Sequence, residues 1–177
     1  MLFLHGLTAN CYCVISETCT IEAQAYGADN TGRTRYAYVK LNGVAVWQAA
    51  WRGEYPVYRG VNVIIVDLST CTLQEWRNFD THGDRGAAAR LSDYLQGLSD
   101  GTILVGVSAD EITTYFYYSA RQALSALGAY VSDVRWRGAF VFVAEKGDPS
   151  KTVLDKELTE AAATARQPNV AVTFTGA

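Results

Sequence analysis

The chain has 177 residues, the size of one domain, and a domain of this length buries roughly 70% of its unfolded surface. Its net charge of -3, with scattered Lys and Arg, excludes the basic stripe of a nucleic-acid-binding protein. No apolar run approaches the roughly 20 residues that cross a bilayer, so we expect no membrane insertion. The first residues lack the basic and apolar regions of a signal peptide, so none is evident.

Four cysteines are the first feature met along the chain: Cys11, Cys13, Cys19 and Cys71. An even number suggests disulfides and therefore an oxidising compartment, which is extracellular or in the secretory pathway. The alternative is that some of them are free buried thiols. Their spacing fits no common metal-binding pattern, and only two histidines are present, so we expect no bound metal.

The first half of the chain has the alternation of strands joined in hairpins. Residues 1–19 lack periodicity and form a cysteine-bearing N-terminal segment, which we separate from a single domain over 20–177. The dipeptide Asn42-Gly43 is a strong hairpin signal, and 61–66 is a β-branched run typical of a central strand. The strands predicted in this half are 20–26, 36–41, 44–47, 61–66 and 73–79.

The second half changes to helical spacing. Apolar residues predict one helix from Ala87 to Leu98 and another over 119–127, with Gly128 as its left-handed cap. Thr81 and Asp84 resemble a capping box for the first helix. Further strands are predicted at 102–107, 139–144, 153–158 and 170–174. The pattern indicates an α+β domain in which two helices cover a mostly antiparallel β-sandwich of two packed sheets.

No catalytic or cofactor motif is present, so we expect neither an enzyme nor a cofactor. The segment 80–84 has oxygen ligands at alternate positions but lacks the rest of a calcium loop. Asp110 and Glu111 are a carboxylate pair that could serve glycosidase chemistry or, more simply, cap a following helix. The aromatic run 115–118 could rim a binding groove or pack on the sheet.

Several segments, in order, resemble the ILEI/PANDER domain family, named after the interleukin-like EMT inducer and the pancreatic-derived factor. The resemblance extends over roughly residues 20–147. The segments that carry it are 38–43, 59–63, 79–81, 100–104, Asp110-Glu111, 120–124, Leu127-Gly128, Trp136-Arg137 and 140–143.

The resemblance implies a β-β-α, lectin-like fold without a catalytic centre, in the secretory pathway. It also implies two functions, because some members bind the sugar N-acetylglucosamine and others act as cytokine-like signals. The implied sugar site includes Asp80 as a hydroxyl acceptor, and Asp110 with Glu111. Tyr115 or Trp136 would stack on the sugar ring, with Arg137 beside them.

Two positions depart from the family pattern. Ala109 stands where the sugar-binding members have a basic residue, so the implied pocket lacks a donor. Cys71 lies in a turn where the family has Gly, which leaves Cys13–Cys71 and Cys19–Cys71 as alternative pairings. The leading hypothesis is a non-catalytic extracellular carbohydrate-binding domain. The alternative is a secreted cytokine-like protein that binds a protein receptor.

Overall fold

The computed structural model describes residues 18–28, 36–52, 55–157 and 169–176. Ten strands and two helices lie within these ranges. In chain order they are β1 (Cys19–Gly27), β2 (Tyr36–Leu41), β3 (Val44–Arg52), β4 (Tyr55–Pro56), β5 (Gly60–Asp67), β6 (Thr72–Phe79), α1 (Ala87–Gly97), β7 (Ile103–Asp110), α2 (Tyr118–Ala126), β8 (Ala139–Glu145), β9 (Asp148–Glu157) and β10 (Asn169–Gly176). The predicted order of strands and helices is confirmed, and the structure adds the short strand β4, which was not among the predicted strands.

The described strands form one connected sheet in the order β4-β3-β2-β1-β7-β5-β6, with β10 beside β1, and with β8 and then β9 beside β7. Every pair is antiparallel except β1 and β7, which run parallel where Tyr26 faces Ala109 and Gly27 faces Asp110. The α+β class is therefore confirmed. The prediction of two separate sheets is not, because the short parallel contact joins β1 to β7.

The central strands are covered on both faces, and every residue of β7 is buried. Alternate residues of β5, β7 and β8 face different clusters because side chains alternate along a strand. Val105 packs in a cluster with residues of β1 and β2 such as Ile21, and Leu104 packs in a second cluster with the helices. Gly106 leaves room for the Phe142 ring, since a Cβ at this position would lie 2.0 Å from it.

The helices cover the second cluster with their apolar sides, as the periodicity predicts. Leu91 of α1 and Leu124 of α2 are fully buried there. Gly128 follows α2 at φ +85°, so the predicted left-handed cap is confirmed. The predicted capping box is wrong. Helix α1 begins at Ala87 after Gly86 with no side-chain cap, and the hydroxyl of Thr81 instead donates to the carbonyl of Ile112.

Two hairpin turns use left-handed backbone conformations. Asn42 and Gly43 join β2 to β3 at φ +47° and +79°, as the dipeptide predicts. Gly147 joins β8 to β9 at φ +89°. Strand β9 begins at Asp148, five residues before the strand predicted at 153–158.

A disulfide joins Cys19, the first residue of β1, to Cys71 in the β5–β6 hairpin, across 52 residues of sequence. Of the two pairings left open by the sequence, the structure shows Cys19–Cys71. Cys11 and Cys13 lie outside the described residues, as does nearly all of the segment 1–19, so the proposed domain boundary stays a prediction.

Candidate functional site

All six residues predicted for the site lie at one end of the sheet, which we call the Asp110 end. Strand β7 finishes here beside the last residue of β1, and Ala109 faces Gly60 at the start of β5. Phe79 at the end of β6 faces Val61. Strand β8 also begins at this end, because it runs antiparallel to β7. The loops that carry the candidate residues therefore meet here: 80–86, 110–117 and 128–138.

Arg59 and Asp80 form a two-point ion pair across the ends of β5 and β6. The guanidinium Nε and Nη2 donate to Oδ1 and Oδ2 of Asp80 at 3.0 and 2.8 Å. Asp80 raises the pKa of Arg59 despite its partial burial, and Asp110 and Glu111 add smaller increases. These two carboxylates are therefore close enough for their charges to act on the Arg59 guanidinium.

Asp80 acts mainly as the anchor of its own turn. Its Oδ1 also accepts from the amides of His82 and Gly83, at 3.2 and 2.8 Å. Burial raises the pKa of Asp80, but the bonds from Arg59, Gly83 and His82 outweigh it and lower this pKa below its ordinary value. The expectation that Asp80 is an open hydroxyl acceptor is wrong for Oδ1, which already accepts three bonds. Oδ2, with one bond from Arg59, keeps capacity for another donor.

Hydrogen bonds join the 80–86 loop to the 110–117 loop. Thr81, fully buried, donates its hydroxyl to the carbonyl of Ile112 at 2.7 Å and accepts the amide of Tyr115 at 2.7 Å. The hydroxyl of Thr114 lies 2.8 Å from Nδ1 of His82. Because buried polar groups need partners, these bonds keep the two loops in a single arrangement.

Asp110 and Glu111 are almost fully buried, with 6% and 4% of their surfaces exposed. Helix α2 begins only at Tyr118, so the expectation that either carboxylate caps it is wrong. Oε1 of Glu111 accepts the amide and hydroxyl of Thr113, both at 2.6 Å, and Oε2 accepts the amide of Arg137 at 2.7 Å. Glu111 thus connects the end of β7 to the segment before β8.

Trp136, which is exposed, and Arg137, which is half-buried, form a pair beside Glu111. The guanidinium carbon of Arg137 lies 3.8 Å from the centroid of the Trp136 ring, which is 48% exposed. Arg137 has φ +63°, as does Asp110. Gly27 permits this arrangement, since a Cβ there would lie 2.2 Å from the Arg137 carbonyl oxygen. Left-handed conformations of residues other than glycine are concentrated at functional sites in proteins.

The aromatic run 115–118 divides between the two roles that the sequence left open. Phe116 is buried and stacks on Phe140, whereas Tyr117 and Tyr118 are 50% and 72% exposed. Tyr115 is half-buried, and its ring centroid lies 6.0 Å from that of Tyr117. Part of the run therefore packs in the core, and part presents aromatic surface at the Asp110 end.

Arg59 is the functional candidate that sequence reasoning missed. Ala109, at the position expected to be basic, is fully buried, but Arg59 brings a partly exposed guanidinium to the same end. Two signals could have revealed it: Arg59 directly precedes β5, which pairs with the strand leading to Asp80, and it begins one of the segments that carry the family resemblance.

A cavity of about 490 Å³ lies at the opposite end of the sheet, which we call the Glu145 end. Its apolar lining includes Ile65 and Ile103, and its charged lining consists of Asp67, Asp100 and Glu145. It contains none of the predicted site residues. This cavity and the predicted binding chemistry therefore lie at different ends of the sheet.

The described part of the chain shows neither a cluster of metal ligands nor a membrane-spanning helix. Nowhere in it do three His, Cys, Asp or Glu side chains gather in a way that could hold a metal ion. Neither α1 nor α2 has the length and apolar character that a bilayer-spanning helix needs.

The fold and site define a strand-rich α+β domain with a polar and aromatic binding-type surface. Comparison with known proteins gives the family. Residues 59–148, half of the chain, match the family described as Interleukin-like EMT inducer, so the chain belongs to this family. The resemblance to the ILEI/PANDER domain is thereby confirmed.

Three relatives illustrate the match. The Cell migration-inducing and hyaluronan-binding protein of Mus musculus is 32% identical over 99 residues, which are 55% of this chain and 7% of that protein. Protein FAM3C of Bos taurus is 30% identical over 103 residues, 58% of this chain and 44% of that protein. Protein FAM3B of Homo sapiens is 30% identical over 93 residues, 51% of this chain and 39% of that protein.

The chain thus matches less than half of each of these relatives. Together with the family match, they support a cytokine-like or binding domain of an extracellular protein.

Proposed function

We propose that the chain is a non-catalytic, lectin-like domain that binds a glycan at the Asp110 end. One observation carries the proposal: donors, acceptors and exposed aromatic rings converge there. Arg59 offers a partly exposed guanidinium, Asp80 offers Oδ2, and Trp136 offers a ring face. Sugars are recognised by this combination, because hydroxyl groups need paired polar partners and the apolar face of the ring stacks on an aromatic side chain.

The packing of the strands supports the lectin-like part of the proposal. In this reading, β1 and β2 form one layer and β5, β7 and β8 form a second layer, with the helices outside the second. Side chains of both layers share one cluster, as Ile21 of β1, Val39 of β2 and Val105 of β7 illustrate. The parallel contact at Gly27 and Asp110 then joins the layers at the binding end.

The relatives support a glycan as one class of ligand. One is named a hyaluronan-binding protein and another, from Danio rerio, a cell surface hyaluronidase. The disulfide between Cys19 and Cys71 agrees with the extracellular setting that we propose, since such bonds persist in oxidising compartments.

Titration of the folded protein with neutral and acidic oligosaccharides, followed by calorimetry or NMR, tests the proposal. We expect Trp136→Ala to weaken glycan binding about tenfold, because a stacking ring is lost. The matched control is Val44→Ala, an exposed apolar residue in the β2–β3 hairpin, which should leave binding unchanged. Folded protein that binds no glycan, or equal losses for both variants, would contradict the proposal.

A cytokine-like protein that binds a protein receptor is the second candidate. The exposed rings of Tyr117, Tyr118 and Tyr130 favour it, because Tyr is enriched in protein interfaces. The interleukin-like character after which the family is named agrees with this candidate. Binding to cells that persists after their surface glycans are removed, and that Tyr118→Ser reduces, would support a protein receptor over a glycan.

A further inference from the structure

Charge is distributed unequally over the groups of the Asp110 end. Its carboxylates are largely committed to partners within the protein: Asp80 pairs with Arg59, Asp84 with Arg90, and Glu111 accepts bonds from Thr113 and Arg137. Their negative charge is therefore already compensated or shielded. Among the described residues of the same loops, two cations, Arg85 and Arg135, have no carboxylate partner within 4.0 Å.

Arg85 is the clearest example. Its side chain is exposed, and its guanidinium carbon lies 5.5 Å from the centroid of the Tyr115 ring. Among the described residues no carboxylate lies within 4.0 Å of it, although Asp84 is its neighbour in sequence, because Asp84 pairs with Arg90. The aromatic face holds the Arg85 side chain in place without neutralising its charge.

The surroundings of Arg85 are suited to a sugar ring. Tyr115, below the guanidinium, continues into the half-exposed ring of Tyr117. The amide of Tyr115 donates to the carbonyl of Thr81, so the loop that carries Tyr115 is bonded to the residue that follows Asp80. A guanidinium with five donors matches the two oxygens of a carboxylate or the oxygens of a sulfate.

A second exposed cation, Arg135, lies in the 128–138 loop of the Asp110 end. Within the described ranges, no carboxylate oxygen lies within 4.0 Å of its guanidinium nitrogens. It stands next to the Trp136–Arg137 pair. The Glu145 end shows the reverse balance, since its cavity is lined by three carboxyl residues, and Lys151 compensates only Glu145 among them. An anionic ligand would therefore be drawn toward the Asp110 end and away from the opposite one.

We propose that the ligand of this site is an acidic glycan, whose carboxylate or sulfate is bound by Arg85 while a sugar ring rests on Tyr115 and Tyr117. This proposal rests on the glycan-binding function and specifies its ligand class. Arg85 is the residue that determines the preference for acidic over neutral sugars. Arg59 and Trp136 serve both kinds of glycan.

The test compares three probes of equal length: an oligosaccharide of alternating glucuronic acid and N-acetylglucosamine, a neutral oligomer of N-acetylglucosamine, and a sulfated heparin fragment. We expect the wild-type protein to bind at least one acidic probe about tenfold more tightly than the neutral one, as for one charge-assisted hydrogen bond. This preference should shrink as the salt concentration rises from about 0.05 to about 0.5 M.

Three variants determine whether Arg85 is responsible. Arg85→Gln should lose the preference for the acidic probe and keep its affinity for the neutral one, whereas Arg85→Lys should retain most of the preference. The matched control is Arg77→Gln. Arg77 also lies over a tyrosine, 5.8 Å from the centroid of Tyr94, but it pairs with Glu75. Its substitution should change neither affinity.

The outcomes separate this inference from the glycan-binding function. Equal binding of acidic and neutral probes, or an unchanged preference in Arg85→Gln, overturns the acidic specificity and leaves glycan binding intact. Binding of none of the probes overturns both. A preference for the sulfated probe alone assigns Arg85 to a sulfate, and a preference for the uronic acid probe assigns it to a carboxylate.

Discussion

The two ends of the sheet are held by different means. At the Glu145 end, the disulfide links the start of β1 to the β5–β6 hairpin, next to the loop residues Asp67 and Leu68 that line the cavity. At the Asp110 end, buried polar groups hold the loops, chiefly Thr81 and Glu111. The covalent link contributes stability, whereas the polar network also fixes the positions of groups that can meet a ligand.

This difference teaches that a cavity alone does not identify the binding site. The Glu145 end has the space, but no aromatic residue is among those that line its cavity, so it lacks a set of donors, acceptors and aromatic rings. The Asp110 end has such a set and places it on loops joined to the central strand β7. Four predictions test how far the two ends differ, beginning with the largest effect.

Loss of the disulfide should have the largest effect on stability. A cross-link that closes a loop of 52 residues restricts the unfolded chain, so Cys19→Ser with Cys71→Ser should lower the free energy of unfolding by about 4 kcal/mol. Urea unfolding of the variant, and of the wild type with and without reductant, measures this. A wild-type unfolding midpoint that does not change when reductant is added would contradict the contribution of the disulfide to the stability of the Glu145 end.

Glu111→Ala should come next, because it leaves the amides of Thr113 and Arg137 without their acceptor in a buried site. We expect a loss of about 3 kcal/mol in the free energy of unfolding. Glu145→Ala is the control at the other end, where the ion pair with Lys151 is partly exposed and should contribute less than about 1 kcal/mol. Similar losses for both variants would contradict the distinction between the ends.

Thr81→Val tests a single buried hydrogen bond with almost unchanged side-chain shape. Loss of the bond to the Ile112 carbonyl should lower the free energy of unfolding by about 1–2 kcal/mol. Thr102→Val at the Glu145 end removes a bond of the same length, 2.7 Å, to the carbonyl of Ser99 in an exposed turn. Thermal unfolding should show a smaller change for this control, and a larger one would argue against the importance of the Thr81 bond.

The smallest expected effect is on the pH dependence of the free energy of unfolding. The pKa of Asp80 is lowered in the folded protein, because the bonds from Arg59, Gly83 and His82 outweigh burial, which raises it. A carboxyl with a depressed pKa stabilises the fold above its unfolded pKa, and this contribution is lost as pH falls through the folded pKa. Asp80→Asn should therefore flatten the fall in stability between about pH 5 and about pH 2.

The control for this pH dependence is Asp67→Asn at the Glu145 end. The pKa of Asp67 is lowered chiefly by its bond with Ser69, but the group is exposed, so water screens its interactions. Urea unfolding over a pH series should show a smaller change in slope for this variant. Other acids with lowered pKa values act equally in all three proteins, so an unchanged slope in Asp80→Asn would contradict the role of its ion pair.

Much of the fold could be predicted from local patterns. Alternation indicated β1 and β2, the β-branched run indicated β5, and Asn42-Gly43 indicated the hairpin turn between β2 and β3. These signals could be recognised because they depend on neighbouring residues only. The parallel contact of β1 with β7 could not be predicted in this way. It joins residues more than 80 positions apart, and no short pattern records it.

Only part of the arrangement at the candidate site could be predicted, because its contacts also join residues that are distant in sequence. The structure brings Asp80, Glu111 and Arg137 to one end of the sheet, but the sequence does not show which of their lone pairs already accept a hydrogen bond. The partners of Asp80 come from Arg59 and from amides of its own turn, and those of Glu111 from Thr113 and Arg137. The capping box predicted from Thr81 and Asp84 did not form, because the Thr81 hydroxyl donates instead to the carbonyl of Ile112, which is distant in sequence.

The position of β7 has a consequence for the dynamics of recognition. The strand is buried along its whole length, pairs with β5 and β8, and ends at Asp110. Its amides belong to the part of the molecule that should exchange most slowly with deuterated solvent. The glycan that we propose for the Asp110 end would therefore bind to loops attached to a slowly exchanging strand, and its association should need little reordering of the backbone.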